Sequence, residues 1–125
     1  MKNIHKFWKK VSICCALLLL LTACETRAHS VRYQISGSAK KIAISYINGT
    51  GATEQRDVSS GWATTYNVKT WQYVGVTVFN ATLDGSVTCR LYVDGVLIQH
   101  AESVGGLKWA SCGGLAGITG AKSAQ

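Results

Sequence analysis

The sequence predicts an all-β protein, an Ig-like antiparallel β-sandwich of seven or eight short strands, and three observations carry that prediction. From residue 31 onward, apolar and polar residues alternate with a period of two. Gly, Asn, Asp and Ser interrupt the alternation about every eight to twelve positions, the spacing of short strands joined by tight turns. Beyond residue 23 no segment keeps a helical apolar period, and Pro is absent. A small antiparallel barrel is the alternative closure of the same strands.

The elements follow in order. Val31, Tyr33 and Ile35 alternate with Arg32, Gln34 and Ser36, and Gly37 ends that strand. In residues 41–47, Ile42, Ile44 and Tyr46 share one face. Asn48-Gly49-Thr50-Gly51 reads as a hairpin loop, because Asn and Gly accept positive φ. Residues 53–58 make a polar strand, and Ser60-Gly61 a second turn. Trp62, Thr64, Tyr66 and Val68 share a face of the next strand. Residues 71–79 carry Val74, Val76 and Val78 on one side and Tyr73, Thr77 and Phe79 on the other. That pattern fits a central strand buried on both faces. After a loop containing Asp84-Gly85, Val87, Cys89, Leu91 and Val93 face inward while Thr88, Arg90 and Tyr92 face out. Asp94-Gly95 is a two-residue hairpin turn. Residues 96–101 return, residues 104–106 turn, and residues 107–112 form the last strand. Residues 113–125, rich in Gly, Ala and Ser, read as a flexible tail.

Composition bounds the function. The 125 residues are 47% hydrophobic and only 15% charged, which excludes a disordered or polyelectrolyte chain. Their number suits one small domain and not an enzyme of two lobes. The net charge of +7 is misleading, because Lys2, Lys6, Lys9 and Lys10 precede the domain. After residue 23, nine basic and six acidic residues leave +3, and Lys40-Lys41 is the only adjacent basic pair. A nucleic-acid groove needs a basic stripe with interleaved aromatics, so no nucleic-acid partner is expected.

The first 23 residues set the compartment. Residues 1–10 are basic and residues 11–23 apolar, dominated by leucines 17–21. As a helix, the apolar run would span about 20 Å, short of the ~30 Å hydrocarbon core. It fits the apolar region of a removable signal peptide. Leu21-Thr22-Ala23-Cys24 resembles the bacterial lipobox, in which the Cys thiol takes a diacylglyceryl group and cleavage leaves it as the first residue. A plain signal peptide with an incidental Cys24 is the alternative. The expected organisation is a lipoprotein signal peptide at 1–23, a lipidated Cys24 with a tether to residue 30, a sandwich at 31–112 and a tail at 113–125. Two or more acyl chains hold a protein stably on a membrane, whereas one is marginal. The protein is therefore expected to be exported and anchored to the cell membrane through Cys24.

Export permits a disulfide. With Cys14 and Cys15 in the leader and Cys24 lipidated, Cys89 and Cys112 remain to pair. A redox role is the alternative, but there is no CxxC and nothing close in sequence to lower a thiol pKa. No catalytic residues, cofactor or metal ligands emerge. His29 lies in the tether and His100 on a late strand, too few for the three or four ligands of a zinc site. No G-x-S-x-G occurs, and the chain is expected not to be an enzyme. Asn48-Gly49-Thr50 and Asn80-Ala81-Thr82 match N-x-[ST] but read as ordinary turns. Trp62, Trp71, Trp109, Tyr66, Tyr73 and Tyr92 make a rich aromatic set, read chiefly as core and cross-strand packing. Arg90 and Tyr92, turned away from Cys89 and Leu91, and Trp62 beside Gly61 are the candidate partner-binding residues.

Residues 31–37 (VRYQISG), residues 43–48 (AISYIN) and residues 88–95 (TCRLYVDG) resemble the MmpS family, with Gln55, Val58 and Trp62 as a looser match between them. These small actinobacterial membrane proteins accompany MmpL transporters of the resistance–nodulation–division type. The similarity covers residues 31–112 and is most specific at the Cys89 strand and the second Cys near the domain end. It implies an Ig-like sandwich outside the cytoplasmic membrane that assists a partner pump exporting lipids, siderophores or drugs. Typical members carry a transmembrane helix, and here the lipobox-like leader stands in its place. The expected function is thus a lipid-anchored accessory protein of a membrane export system. The alternative is a stand-alone surface lipoprotein binding a carbohydrate, an envelope polymer or a host ligand through its aromatics.

Overall fold

The computed structural model describes residues 27–117, so the expected signal peptide, Cys24 and the last eight residues lie outside it. The described residues form eight strands: β1 (Ala28–Ser36), β2 (Ile42–Ile47), β3 (Thr53–Val58), β4 (Ala63–Lys69), β5 (Tyr73–Asn80), β6 (Ser86–Val93), β7 (Val96–Val104) and β8 (Trp109–Leu115). They pair antiparallel into two four-stranded sheets, ordered β4-β1-β6-β7 and β3-β2-β5-β8. No ladder joins the sheets among the described residues, so the fold is a sandwich and not a barrel.

The period of two places the inward residues of β1, β2, β5 and β6 as expected. Val31, Tyr33 and Ile35 of β1 and Val87, Cys89, Leu91 and Val93 of β6 meet Ile42, Ile44 and Tyr46 of β2 and Val74, Val76 and Val78 of β5. Cys89 on β6 and Cys112 on β8 form a buried disulfide between the sheets, with Cα atoms 6.1 Å apart. One edge of the sandwich is closed by aromatic packing. Tyr46 lies 5.3 Å from Trp62 and 6.0 Å from both Tyr33 and Tyr66 between ring centroids. At the other edge, Ile98 and Ala101 pack against the core, and the Gln99 side chain accepts a hydrogen bond from the Gly113 N–H.

Tyr33 links the two sheets by chemistry as well as packing. The β2–β5 ladder ends at Tyr46 opposite Val76, and the next rung would join Ile47 to Gly75. The Tyr33 hydroxyl takes that place. It donates to the Ile47 carbonyl at 2.7 Å and accepts from the Gly75 N–H at 3.0 Å. Burial pushes its phenol up to about 12, against the lowering effect of the Gly75 hydrogen bond.

The hairpin signal at Asp94-Gly95 is realised, with φ of 50° and 79° at its two central residues, the conformation that Asp-Gly tolerates. Gly37 is required by contact: a Cβ there would overlap the Ser86 carbonyl of the neighbouring strand end. Asn80, fully buried, organises the opposite end of the sandwich. Its amide nitrogen donates to the carbonyls of Asp84 and Gly105, and its oxygen accepts from the Thr82 backbone and hydroxyl. The N-x-[ST] pattern at Asn80 is therefore a loop-fixing turn.

Several expectations require correction. The first strand begins at Ala28, inside the expected tether, and His29 shares the inward phase of Val31. The last strand runs through Leu115, into the expected tail, because Gly113 leaves room for the Tyr73 ring laid across it. The seventh strand continues to Val104. Trp71 belongs to a turn, with φ of 69°, and the following strand, central in its sheet, is fully buried on its inward face while its outer face leaves Tyr73 exposed and Thr77 and Phe79 half-buried. Trp71 and Trp109 are 67% and 72% exposed, so neither is a core residue.

Candidate functional site

The three residues singled out for partner binding do not share a surface. Arg90 and Tyr92 stand on the outer face of the first sheet, where alternation against Cys89 and Leu91 placed them. Register puts Arg32 opposite Tyr92, Gln34 opposite Arg90, and His100 on the far side of Arg90. Ser30, Arg32, Gln34, Thr65, Tyr92 and Gly95 line a recess of about 450 Å³ on this face. Arg90 is oriented by a 3.1 Å hydrogen bond from its guanidinium to the Ser36 hydroxyl. No ion pair among the described residues engages Arg32 or Arg90. Trp62 lies around the edge, half-buried against Tyr46, beside Lys40, Lys41 and Arg56.

The outer face of the second sheet holds a site that the sequence reading missed. Across it, register aligns Asp57, Ala43, Phe79 and Trp109 in one row and Gln55, Ser45, Thr77 and Ser111 in the next. The small side chains of Ala43 and Ser45 form a floor between larger neighbours. The result is an open groove of about 530 Å³ with Phe79 and Trp109 on one side and Gln55, Arg56 and Asp57 on the other. The two rings meet edge to face at 6.1 Å, and Thr77 and Ser111 hydroxyls lie 2.9 Å apart along its continuation. Counting alternation outward from Cys112 would have exposed Trp109. The expectation that aromatics fill a small β core obscured that signal.

A polar cluster occupies the end of the sandwich where the chain enters. His29 Nδ1 lies 2.7 Å from Asp94 Oδ2, and its Nε2 lies 2.9 Å from Thr70 Oγ1. Because the carboxylate only accepts, Nδ1 carries the proton shared with Asp94. That hydrogen bond, with a second from the Ser30 N–H, holds the Asp94 carboxyl below the usual carboxylate range. The order carboxylate, imidazole, hydroxyl resembles a nucleophile relay. Acyl transfer also needs free donors beside the nucleophile to stabilise an oxyanion. Here the Thr70 N–H is bonded to the Arg27 carbonyl and the Trp71 N–H to the Ala116 carbonyl. The Thr70 hydroxyl lies a further 3.0 Å from the Arg27 carbonyl. The cluster works as a clasp joining the chain entry, the β4–β5 turn and the β6–β7 turn. Its signal was the inward phase of His29.

Among the described residues no group of three or more His, Cys, Asp or Glu side chains converges as metal ligands. No helix among them is long and apolar enough to cross a membrane. No protein-family model matches the chain, and no curated protein matches it.

Proposed function

We propose that this protein is a lipid-anchored accessory subunit of a membrane export system, acting by binding and not by catalysis. The observation that carries the binding role is the outer face of the first sheet. Arg32, Arg90 and Tyr92 stand together there, with only Glu102 as an acid on the adjoining strand. Arg and Tyr are the side chains most often found as anchors of protein interfaces. A cationic face of this kind favours an acidic surface on its partner and speeds encounter. The export system itself is suggested by the MmpS resemblance, and the anchor by the lipobox-like sequence ending at Cys24. Tethering to the membrane that holds the pump would raise the local concentration of the domain around it.

The test is a deletion strain complemented with the wild-type gene or with variants. Arg90→Glu with Arg32→Glu should fail to restore export and compound resistance while the protein still reaches the membrane. Full complementation by that variant, or a deletion strain indistinguishable from its parent, would contradict the proposal.

A second reading, a stand-alone surface lipoprotein that binds carbohydrate, has its own support in the groove beside Trp109. An exposed indole next to Gln55, Asp57 and Arg56 can stack on a sugar ring while polar groups meet its hydroxyls. Glycan binding lost on Trp109→Ala, with export unaffected, would favour this reading over the first.

A further inference from the structure

We propose that the end of the sandwich carrying the β4–β5 turn lies against the membrane, with the Trp71 side chain seated in the lipid headgroup layer. The inference rests on the anchoring of the chain at Cys24 and assigns the surface that meets the lipid. Two residues, Glu25 and Thr26, separate Cys24 from Arg27, and the connecting steps give a covalent reach of about 10 Å. The anchor therefore delivers lipid to the end of the domain where Arg27 emerges.

That end is built to hold Trp71 outward. The Thr70 N–H and hydroxyl both lie within hydrogen-bond distance of the Arg27 carbonyl, which ties the turn to the point of chain entry. The Trp71 N–H is bonded to the Ala116 carbonyl, and the Gln72 N–H returns to Lys69. Trp71 adopts φ of 69°, a left-handed conformation that a bulky side chain rarely takes. The indole is nonetheless 67% exposed, so packing among the described residues does not account for its placement. Trp is the side chain that favours the membrane–water boundary, with an apolar body and one polar N–H.

The surroundings agree. Exposed Arg27 and Lys69 flank the turn and suit anionic headgroups. Of the acids at this end among the described residues, Asp94 is bonded to His29 and the Ser30 N–H, and Glu54 accepts from the Tyr66 hydroxyl. Tyr73 and Leu115, an exposed cross-strand pair, continue the apolar surface from Trp71. The far end also exposes apolar groups, among them Leu83, Leu107 and Trp109. β8 separates the two ends: Trp109 begins it, and Ala116, bonded to Trp71, follows it about 23 Å away at strand rise. The two exposed tryptophans therefore report on opposite ends.

The test uses the full chain, purified from its membrane and reconstituted in phosphatidylcholine–phosphatidylglycerol vesicles containing lipid brominated near the headgroup. Flotation first establishes anchoring, and tryptophan quenching is then compared among wild type, Trp71→Phe and Trp109→Phe. The expected result is flotation of all three, with the Trp71 component quenched several-fold more strongly than that of Trp109. Should Trp71→Phe not fold, strong quenching retained in Trp109→Phe gives the same support. Flotation with Trp109 quenched and Trp71 unquenched, or with neither quenched, overturns the inference and leaves the anchor intact. Failure of the wild-type chain to float overturns the anchor, and the inference with it.

Discussion

Replacing Tyr33 by Phe removes one oxygen and leaves the ring in its aromatic cluster. The hydroxyl fills the missing rung between Ile47 and Gly75 with bonds of 2.7 and 3.0 Å, and Tyr33 is fully buried. A neutral hydrogen bond contributes about 0.5–1.5 kcal/mol, and a buried group left without a partner costs about 1–3 kcal/mol. The ring contacts are retained, so the cavity term is small, and the expected loss is about 2–3 kcal/mol. In a domain of this size, that lowers the melting temperature by roughly 10–20 °C. The assay is urea unfolding of both proteins, followed by far-UV circular dichroism and by fluorescence to check two-state behaviour. A second readout is alkaline stability. Burial raises the Tyr33 phenol to about 12, so the folded state keeps its proton where the unfolded chain loses it. The stability this contributes is complete below about pH 10 and declines as pH rises towards 12. Tyr33→Phe should remove that part of the alkaline slope. A loss below about 0.5 kcal/mol with an unchanged slope would refute the role of the hydroxyl as a rung of the ladder.

Further outcomes follow from other parts of the fold. The Cys89–Cys112 bridge spans a sequence separation of 23, so replacing both cysteines by Ala should cost about 3 kcal/mol by loop entropy, read as a lowered denaturation midpoint. The Asp94 carboxyl is held low by His29, and a depressed folded-state pKa gives stability that is present above the unfolded value and lost as pH falls through the folded one. Wild type should therefore lose stability below about pH 4 more steeply than Asp94→Asn, measured as urea midpoint against pH. Asn80→Ala strips four hydrogen bonds from a buried site and should destabilise by about 3 kcal/mol or more, with faster amide exchange in residues 81–85 and 105–108.

The strands were legible because period-two alternation reports burial directly. Val31, Tyr33 and Ile35, like Val87, Cys89 and Leu91, face the core as their spacing requires. The Asp94-Gly95 turn was legible because few residue pairs accept positive φ at two successive positions. Alternation also carried Arg90 and Tyr92 to the open face of one sheet. It could not show that Trp62 lies on another surface, because strand order in space is set by pairing and not by phase. The groove beside Trp109 stayed hidden for a related reason. It depends on Ala43 and Ser45 of one strand lying beside Phe79 of another, a register visible only once the sheet is assembled. The clasp of His29, Thr70 and Asp94 joins positions 41 and 65 apart in sequence, and no local pattern links them. The Tyr33 rung likewise needs the end of one ladder to fall beneath a side chain from the opposite sheet.

In the proposed function, the anchored domain docks on a membrane transporter through the outer face of its first sheet. The most direct measurement is in-cell photocrosslinking from residue 92, with residue 109 as the comparison, followed by mass spectrometry of the adducts. The expected result is a stoichiometric adduct from residue 92 to a transporter of the export type, lost when Arg32 and Arg90 are reversed in charge. Recovery of the lipidated Cys24 peptide with no transporter adduct at residue 92, and glycan adducts at residue 109, would contradict it.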